Sequence, residues 1–425
     1  MILSLFACFA ALPQAPTPSP KELEAKLESV LALDTRSAEG FAASNALIAE
    51  LAAVELDAAQ EKAWRAKLAK LAAKSGPQLE ADSGQHWFWP AEKAARGKQG
   101  ASGRGLYIVG GATKKPKGLL IGMHGGGAGS GDAWTAHGAL DDAARSLGLV
   151  ALFPEVLEKT ERGWTDSGSE EFVLDLVEAA ARTWKFDRNH VYFSGHSMGG
   201  YGTWMLGAHH ADVVAGLAAS AGAPTPVFGP AGSETDIERG IVPNLRNVPI
   251  RIYQSDNDRN VPPLANRVAA KKLEEARARW GGYDFEYWEV PGRAHELPPG
   301  GMLALLEKLE GKPRQPRPNK IVWQPTLAWK RHFYWLWWDA PRSGALVEAE
   351  LDAATNEVRV TCDGDAAGLH VLLDDELLDL DRELVVKLNG TEVFRGLARR
   401  NLGVLARTAQ RNDSALTFSA SIVLR

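Results

Sequence analysis

Cysteine is scarce in this chain of 425 residues, which contains only Cys8 and Cys362. Two cysteines exclude a scaffold of several disulfides and a structural zinc site with four cysteine ligands. Neither sign of charge dominates, because 48 Lys and Arg stand against 53 Asp and Glu and leave a net charge of −5. A weakly acidic chain is not expected to bind nucleic acid, since phosphate backbones require a clustered basic face.

A membrane span is not expected either, because the apolar run at residues 1–12, MILSLFACFAAL, is shorter than the roughly 20 residues that cross a bilayer. The run suits the apolar part of a secretory signal, although no Lys or Arg precedes it. Two alternatives stay open: a lipid anchor at Cys8, whose LFAC context resembles a lipobox, and a buried first helix. We expect an exported protein, periplasmic or extracellular, with a signal peptide and a Pro-rich spacer over residues 1–20.

In the rest of the chain, the pattern of apolar and polar residues changes twice. Leu23, Leu27 and Val30 lie three and four residues apart, which is a helical spacing. From residue 105, short apolar runs alternate with helical patterns, which predicts an α/β fold with a mostly parallel sheet. Beyond a Pro-rich basic stretch the pattern is that of β-strands, with Asn389-Gly390 as a turn signal, and predicts a small β-sandwich. The predicted divisions are a helical segment over 21–85, an α/β domain over 86–311, a solvated linker over 312–320 and a β-sandwich domain over 321–425.

The α/β part alternates regularly between the two kinds of element. Its strands are predicted from short apolar runs, and its helices from apolar residues at spacings of three and four. The predicted strands cover residues 106–109, 119–123, 149–153, 191–194, 213–218, 250–254 and 285–290. The predicted helices cover residues 140–147, 171–184, 199–208, 265–279 and 302–309.

One segment has the pattern of a nucleophile elbow. Residues 191–200 read VYFSGHSMGG, in which a predicted strand runs into G-H-S-M-G and then into a predicted helix. Such a turn needs glycine two residues before and after the serine, because side chains there would collide with the strand and helix. Ser197 is therefore the candidate nucleophile, and the amino-terminal N–H groups of the helix point toward developing negative charge.

A serine hydroxyl needs a base, and the base needs an orienting acid. His295 follows the predicted strand 285–290 and is the candidate base, whereas His196 lies inside the elbow and His209 and His210 lie at a helix end. The acid is expected between Ser197 and His295, just past the predicted strand 250–254. Asp258 and Asp256 both lie there, and Asp258 is favoured because its D-x-x-V-P context resembles that of the acid in α/β-hydrolases. The order Ser, Asp, His is that of α/β-hydrolases.

A glycine-rich loop follows the predicted strand 119–123. Its sequence His124-Gly125-Gly126-Gly127 lets backbone N–H groups approach a substrate carbonyl, and Gly126, Gly127 and Met198 are the candidate oxyanion donors. The loop is not a phosphate loop, because no Lys-Ser or Lys-Thr follows it.

A metal site is not predicted. Asp256, Asp258 and Asn260 imitate the start of an EF-hand loop, but Val261 and Arg267 stand where Gly and Glu are required. No H-E-x-x-H motif occurs at His295 either, so we expect no metal.

These motifs together resemble the serine α/β-hydrolase superfamily. The specific matches are HGGG at 124–127, GHSMGG at 195–200, DRNVP at 258–262 and His295. Within the superfamily the chain is similar to secreted esterases of the dienelactone-hydrolase, polyhydroxybutyrate-depolymerase and feruloyl-esterase type, and also to bacterial peptidases related to prolyl oligopeptidase.

The resemblance covers residues 105–309 and implies an eight-stranded, mostly parallel sheet. It also implies hydrolysis of carboxylic esters through an acyl-enzyme, without a cofactor. Ser255 departs from the family, which often has Gly after this strand, and keeps the choice between Asp256 and Asp258 open.

The substrate is less well defined by the sequence. Trp164 and His196 are candidate substrate contacts. The expected substrate is a small-molecule or polymeric ester, with or without a link to carbohydrate. The Trp-rich run at residues 323–338 is interpreted either as a buried seam or as a carbohydrate platform, with burial favoured. Two other functions stay open: a serine peptidase, and an inactive hydrolase fold that binds carbohydrate. Oligomeric state cannot be predicted.

Overall fold

A computed structural model describes residues 18–90, 103–224, 237 and 239–425. The predicted signal segment at 1–12 and Cys8 lie outside the described residues. Within the described ranges, no helix is long and apolar enough to cross a membrane.

Three helices open the described chain: α1 (Pro20–Ala32), α2 (Ala38–Ala52) and α3 (Ala58–Ala72). Each begins at a residue whose side chain accepts a backbone N–H of the first turn, namely Ser19, Ser37 and Asp57. Leu23, Leu27 and Val30 are buried, as their spacing predicts.

An eight-stranded sheet forms the centre of the molecule. Its strands are β1 (Gly84–Trp89), β2 (Arg104–Gly111), β3 (Gly118–Met123), β4 (Leu149–Pro154), β5 (Val191–His196), β6 (Gly216–Ser220), β7 (Ile250–Ser255) and β8 (Phe285–Val290). The order is β1-β2-β4-β3-β5-β6-β7-β8. Strand β2 is antiparallel to both neighbours, and the pairs from β4 to β8 are parallel. The α/β fold with a mostly parallel sheet is confirmed.

Helices cover both faces of this sheet, which explains why β3, β4 and β6 are buried along their whole length. These helices are α4 (Ala133–Ser146), α5 (Ser169–Trp184), α6 (Met198–His209), α7 (Leu264–Trp280) and the short α8 (Leu303–Leu306). Because the parallel strands all end at one edge, the loops after β3, β5, β7 and β8 meet there.

The carboxyl-terminal part contains two further sheets. Its strands are β9 (Lys320–Trp323), β10 (His332–Phe333), β11 (Leu336–Trp338), β12 (Val347–Asp352), β13 (Glu357–Cys362), β14 (Leu369–Leu373), β15 (Leu384–Leu388), β16 (Thr391–Gly396) and β17 (Ala420–Val423). One sheet has the order β10-β11-β14-β17 and the other β16-β15-β13-β12-β9. Asn389 and Gly390, with φ of 51° and 83°, form the tight turn between β15 and β16.

A helix interrupts this β-rich part and was not expected there. It is α9 (Leu402–Ala409), which packs against all three amino-terminal helices. Leu27, Leu51, Leu402 and Leu405 are fully buried in the shared cluster. The amino-terminal unit therefore packs mainly on α9 of the carboxyl-terminal part.

The Trp-rich run is buried. Trp323, Trp335 and Trp338 are at most 1% exposed and belong to a core that also contains residues of the central sheet. The Nε1–H of Trp335 donates to the carbonyl of Pro318 at 2.7 Å, and the Trp323 ring stacks on Phe333. The seam interpretation is therefore supported, and these rings do not form a surface platform.

The predicted solvated linker also differs from the prediction. Arg314 is only 5% exposed and donates to Asp413 at 2.7 Å. Arg317 donates to Asp374 at 3.2 Å. Arg314 and Arg317 thus make ion pairs with the carboxyl-terminal part, because acidic side chains distant in sequence approach them.

Candidate active site

Ser197 lies in a strained turn between β5 and α6. Its φ is 60° and its ψ is −125°, a conformation that L-residues rarely adopt. The backbone N–H of Ser197 donates to the carbonyl of Ser220 at 2.9 Å. A Cβ at Gly195 would lie 2.5 Å from the Gly199 carbonyl, and one at Gly199 would overlap the carbonyl oxygen of Met123. The glycines are thus required for the steric reason that the motif suggested.

The structure brings Ser197, His295 and an aspartate together. Nε2 of His295 lies 2.8 Å from Oγ of Ser197, and Nδ1 of His295 lies 2.7 Å from Oδ2 of Asp258. With a neutral imidazole, the serine hydroxyl donates to Nε2 and Nδ1–H donates to the carboxylate. This arrangement can remove the hydroxyl proton as the oxygen attacks an electrophile.

The strand order of the central sheet explains why these three residues meet. The turn with Ser197 follows β5, Asp258 follows β7 and His295 follows β8, all at the same edge of the sheet. This is the α/β-hydrolase fold. Residues 84–309 are called the α/β-hydrolase domain below.

The geometry distinguishes Asp258 from Asp256 as the acid that contacts His295. The Asp258 side chain is fully buried, and its Oδ1 accepts the N–H groups of Asn260 and Val261, each at 2.9 Å. Asp256 is exposed and accepts the N–H of Gly292 at 2.6 Å, as an aspartate in a turn does. Only Asp258 contacts His295.

Two buried amides support Asp258 and were not identified from the sequence. Nε2 of Gln254 donates to Oδ2 of Asp258 at 3.3 Å and to the carbonyl of Val261 at 3.0 Å. Nδ2 of Asn266, on α7, donates to Oε1 of Gln254 at 2.7 Å. The available signal was a polar residue at the end of the apolar strand IRIYQ.

His196 contacts the candidate base. Its ring centroid is 4.7 Å from that of His295, and its Nδ1 lies 2.9 Å from Oγ of Ser220. Burial, reinforced by the neighbouring His295, lowers the pKa of His196 to about 4. A neutral imidazole therefore lies beside the base and adds no positive charge that would oppose protonation of His295.

Trp164 does not fit the predicted role of substrate contact. Its side chain is fully buried, and its Nε1–H donates to the carbonyl of His124 at 3.2 Å. The ring packs against His124 and against the position of Gly202 on α6. The prediction was wrong because a tryptophan in a loop gives no sequence signal of its burial.

The glycine-rich loop is held by the buried side chain of His124. Its Nδ1–H donates to the carbonyl of Gly125 at 2.7 Å, and its Nε2 accepts the N–H of Val156 at 3.2 Å. Burial lowers the pKa of His124, which keeps both bonds in this neutral form. Gly126 has a φ of 141°, and a Cβ there would lie 2.5 Å from the carbonyl oxygen of Ser130. The loop thus passes so close to Ser130 that a residue larger than glycine at position 126 would collide with it.

A cavity of about 1100 Å³ opens at Ser197. Gly126, Gly127 and Met198 line it together with Ser197, so the three predicted oxyanion donors and the candidate nucleophile face one space. The charged residues of its wall are Lys159, Glu161, Arg162, Asp166 and Arg259. No group of His, Cys, Asp and Glu among the described residues has an arrangement that could hold a metal ion.

Comparisons with known proteins point to esterases. No protein-family model matches the chain. A curated protein named "Putative esterase NocK", from Nocardia uniformis subsp. tsuyamanensis, is 31% identical over 130 residues, which are 28% of this chain and 37% of NocK. The chain therefore matches little more than a third of the length of that relative.

Solved structures with similarity to the chain include several esterases and a "putative dipeptidyl aminopeptidase IV" from Bacteroides ovatus. A thermostable esterase is 19% identical, with 45% of this chain and 52% of that chain covered and a TM-score of 0.35. Est1E from Butyrivibrio proteoclasticus is 16% identical, with 48% of this chain and 91% of that chain covered and a TM-score of 0.36.

Proposed function

We propose that the protein hydrolyses carboxylic esters through an acyl-enzyme on Ser197. The observation that carries the proposal is the unbroken series of hydrogen bonds from Ser197 through His295 to Asp258, whose hydroxyl end faces a cavity. The similarity to NocK supports ester rather than peptide substrates. The apolar residues 1–12 support export of the protein as a further part of the proposal.

Acylation begins when Oγ of Ser197 attacks the ester carbonyl and its proton passes to Nε2 of His295. The carbonyl oxygen becomes an oxyanion, and the amide N–H groups of Met198 and the loop residues Gly126 and Gly127 are proposed to stabilise it. When the intermediate collapses, the bond to the alkoxy oxygen breaks and His295 returns the proton to the leaving alcohol.

Deacylation repeats these steps with water. His295 takes a proton from the water that attacks the acyl carbonyl, and the second intermediate releases the carboxylic acid as Oγ of Ser197 regains a proton. Asp258 keeps the tautomer with hydrogen on Nδ1 and stabilises the imidazolium that forms in each half-reaction.

The test is the Ser197→Ala variant, with Ser167→Ala as a matched change of an exposed serine. We expect Ser197→Ala to lose the burst of p-nitrophenol from p-nitrophenyl acetate and to lower turnover by about 10⁴-fold or more. A fluorophosphonate probe is expected to label the wild type and Ser167→Ala but not Ser197→Ala. Unchanged turnover in Ser197→Ala would overturn the assignment, and faster cleavage of peptide p-nitroanilides than of esters would favour a peptidase.

A further inference from the structure

A second cavity, of about 410 Å³, lies where the three parts of the chain meet. Its wall includes the connection between α1 and α2, one side of α5, the segment before β10, and α9 with the residues that follow it. Basic side chains dominate this wall. They are Arg36, Arg182, Lys330, Arg331, Arg407 and Arg411.

The carboxylates of the same wall are already paired. Arg36 contacts Asp34 at 3.1 Å and Asp175 at 3.0 Å. Glu178 accepts a hydrogen bond of 2.9 Å from Arg188, which lies outside the wall. None of these three carboxylates lies within 4.0 Å of another cation of the wall among the described residues, although Asp175 and Glu178 act on Arg182 from a greater distance.

Lys330 and Arg411 share a single counter-ion. Both contact the carboxylate of Asp212, which is fully buried, and Lys330 lies 2.7 Å from it. One carboxylate thus contacts two cations directly, and Glu170 acts on Lys330 from a greater distance.

Three further arginines have no carboxylate within 4.0 Å among the described residues: Arg182, Arg331 and Arg407. Neutral groups hold two of them. Arg331 donates to the carbonyls of Asp339 and Thr35, at 3.1 and 3.0 Å.

Arg407 donates to the Asn45 amide at 3.4 Å and lies over the Trp337 ring. Burial lowers the pKa of Arg182, Arg331 and Arg407, because it disfavours the charged form more strongly than the nearby carboxylates favour it.

Buried polar atoms in the wall also lack hydrogen-bond partners. They are Nε of Arg182, Nε of Arg407 and Nδ1 of His332. His332 is only 5% exposed, and its Nε2 is used by the carbonyl of Tyr334 at 2.7 Å. A buried polar atom without a partner is costly, so these three atoms destabilise the folded state locally.

We propose that this cavity binds a multivalent oxyanion, either free phosphate or sulfate or such a group on a larger molecule. Arginine presents several N–H donors in a planar fork that matches the oxygens of these anions. The anion compensates the arginines that are otherwise desolvated without a carboxylate in contact, which is a destabilising arrangement. Because the wall comes from all three parts of the chain, the bound anion is expected to stabilise their association.

The test is thermal unfolding of the full-length protein with increasing sodium phosphate, at constant ionic strength set with sodium chloride. We expect the unfolding temperature to rise and then level off as the phosphate concentration increases, and not to rise with chloride. The reason is that a ligand that binds only the folded state stabilises it. Arg407→Leu and Arg182→Gln are each expected to weaken the apparent phosphate affinity at least tenfold. Two variants are used so that poor folding of one leaves the other informative.

Arg259→Gln is the matched control, since it removes a cation from the catalytic cavity instead. This variant is expected to keep the phosphate response. Parallel titrations with sulfate and glucose 6-phosphate distinguish the sources: tighter binding of the sugar phosphate indicates a group on a larger ligand, and equal or weaker binding indicates the free anion. If phosphate does not raise the unfolding midpoint, the proposal is overturned. It is also overturned if both cavity variants keep the rise, or if only Arg259→Gln loses it.

Discussion

At the scale of single residues, the carboxylate of Asp258 is held in place by hydrogen bonds to both of its oxygens. Oδ1 accepts two backbone N–H groups, and Oδ2 accepts from His295 and Gln254. The carboxylate can therefore hold the His295 ring in one orientation and one tautomer. Its neighbour Asp256 makes a turn contact only.

We predict that Asp258→Asn lowers turnover by about 10⁴-fold, because the amide can present its NH₂ to Nδ1 and so favour the wrong tautomer. Asp256→Asn is expected to stay within a few-fold of the wild type. Steady-state kinetics on p-nitrophenyl acetate measure both. A large loss in Asp256→Asn with a small one in Asp258→Asn would contradict the assignment.

The sequence predicts these residues unequally. Ser197 and His295 are predictable because an elbow and a histidine after a late strand are local patterns. Asp256 and Asp258 both follow the same strand, and only the fold of the loop separates them. Trp164 and the supporting Gln254 could not be assigned, because burial and long-range contacts leave no local pattern.

At the scale of elements, the closest contact of the amino-terminal unit is between α2 and α9. A Cβ on Gly403 would lie 2.6 Å from the carbonyl oxygen of Ile48 and 2.7 Å from the nitrogen of Ala52. Gly403 therefore lets two helices approach so closely that their backbones nearly touch.

We predict that Gly403→Ala lowers the free energy of unfolding by about 1–3 kcal/mol, because the added methyl group forces α2 and α9 apart. Gly138 on α4 is the matched control, since no atom lies within 4 Å of a Cβ there. Gly138→Ala is expected to raise stability by about 0.5–1 kcal/mol, because alanine favours the helix. Urea unfolding measures both, and equal effects would contradict the close-contact interpretation.

Most helices and strands of the chain follow from apolar periodicity, but three kinds do not. Strand β1 is partly exposed along its length and shows no alternation, so its residues give no strand signal. The strand predicted over 213–218 begins at Gly216, because a turn precedes it. Helix α9 and strands β10 and β11 are short, and contacts across the chain rather than local preference stabilise them.

At the scale of the whole molecule, a buried set of charges joins the parts of the chain. Glu170 contacts Nδ1 of His209 and Nε2 of His210 at 3.0 Å, beneath the cluster around Asp212. Burial alone would raise the pKa of Glu170, but the two histidines lower it to about 2. Burial, together with repulsion by Lys330 and His209, lowers the pKa of His210 to about 4.

We predict that stability falls as the pH decreases from about 6.5 to about 4. His210 has a lower pKa in the folded state than in the unfolded chain, so the unfolded chain binds the proton first and is favoured by acid. A shift of this size corresponds to roughly 3 kcal/mol over the full window. Glu170 acts in the same direction, but only below its unfolded pKa of about 4.5.

Thermal unfolding at several pH values measures this dependence, and His210→Gln removes the titrating group. The variant is expected to lose less stability than the wild type between pH 6.5 and pH 4. An equal loss in both proteins would mean that other groups account for the acid sensitivity.

The contact of α1–α3 with α9 also affects how the protein is made. About 330 residues separate the end of α3 from the start of α9. At 5–20 residues per second, a ribosome takes roughly 15 to 65 s to synthesise them. During that time the leucines of the first three helices lack α9, which covers them in the folded protein, so the nascent chain presents the uncovered side of this cluster to chaperones for most of its synthesis.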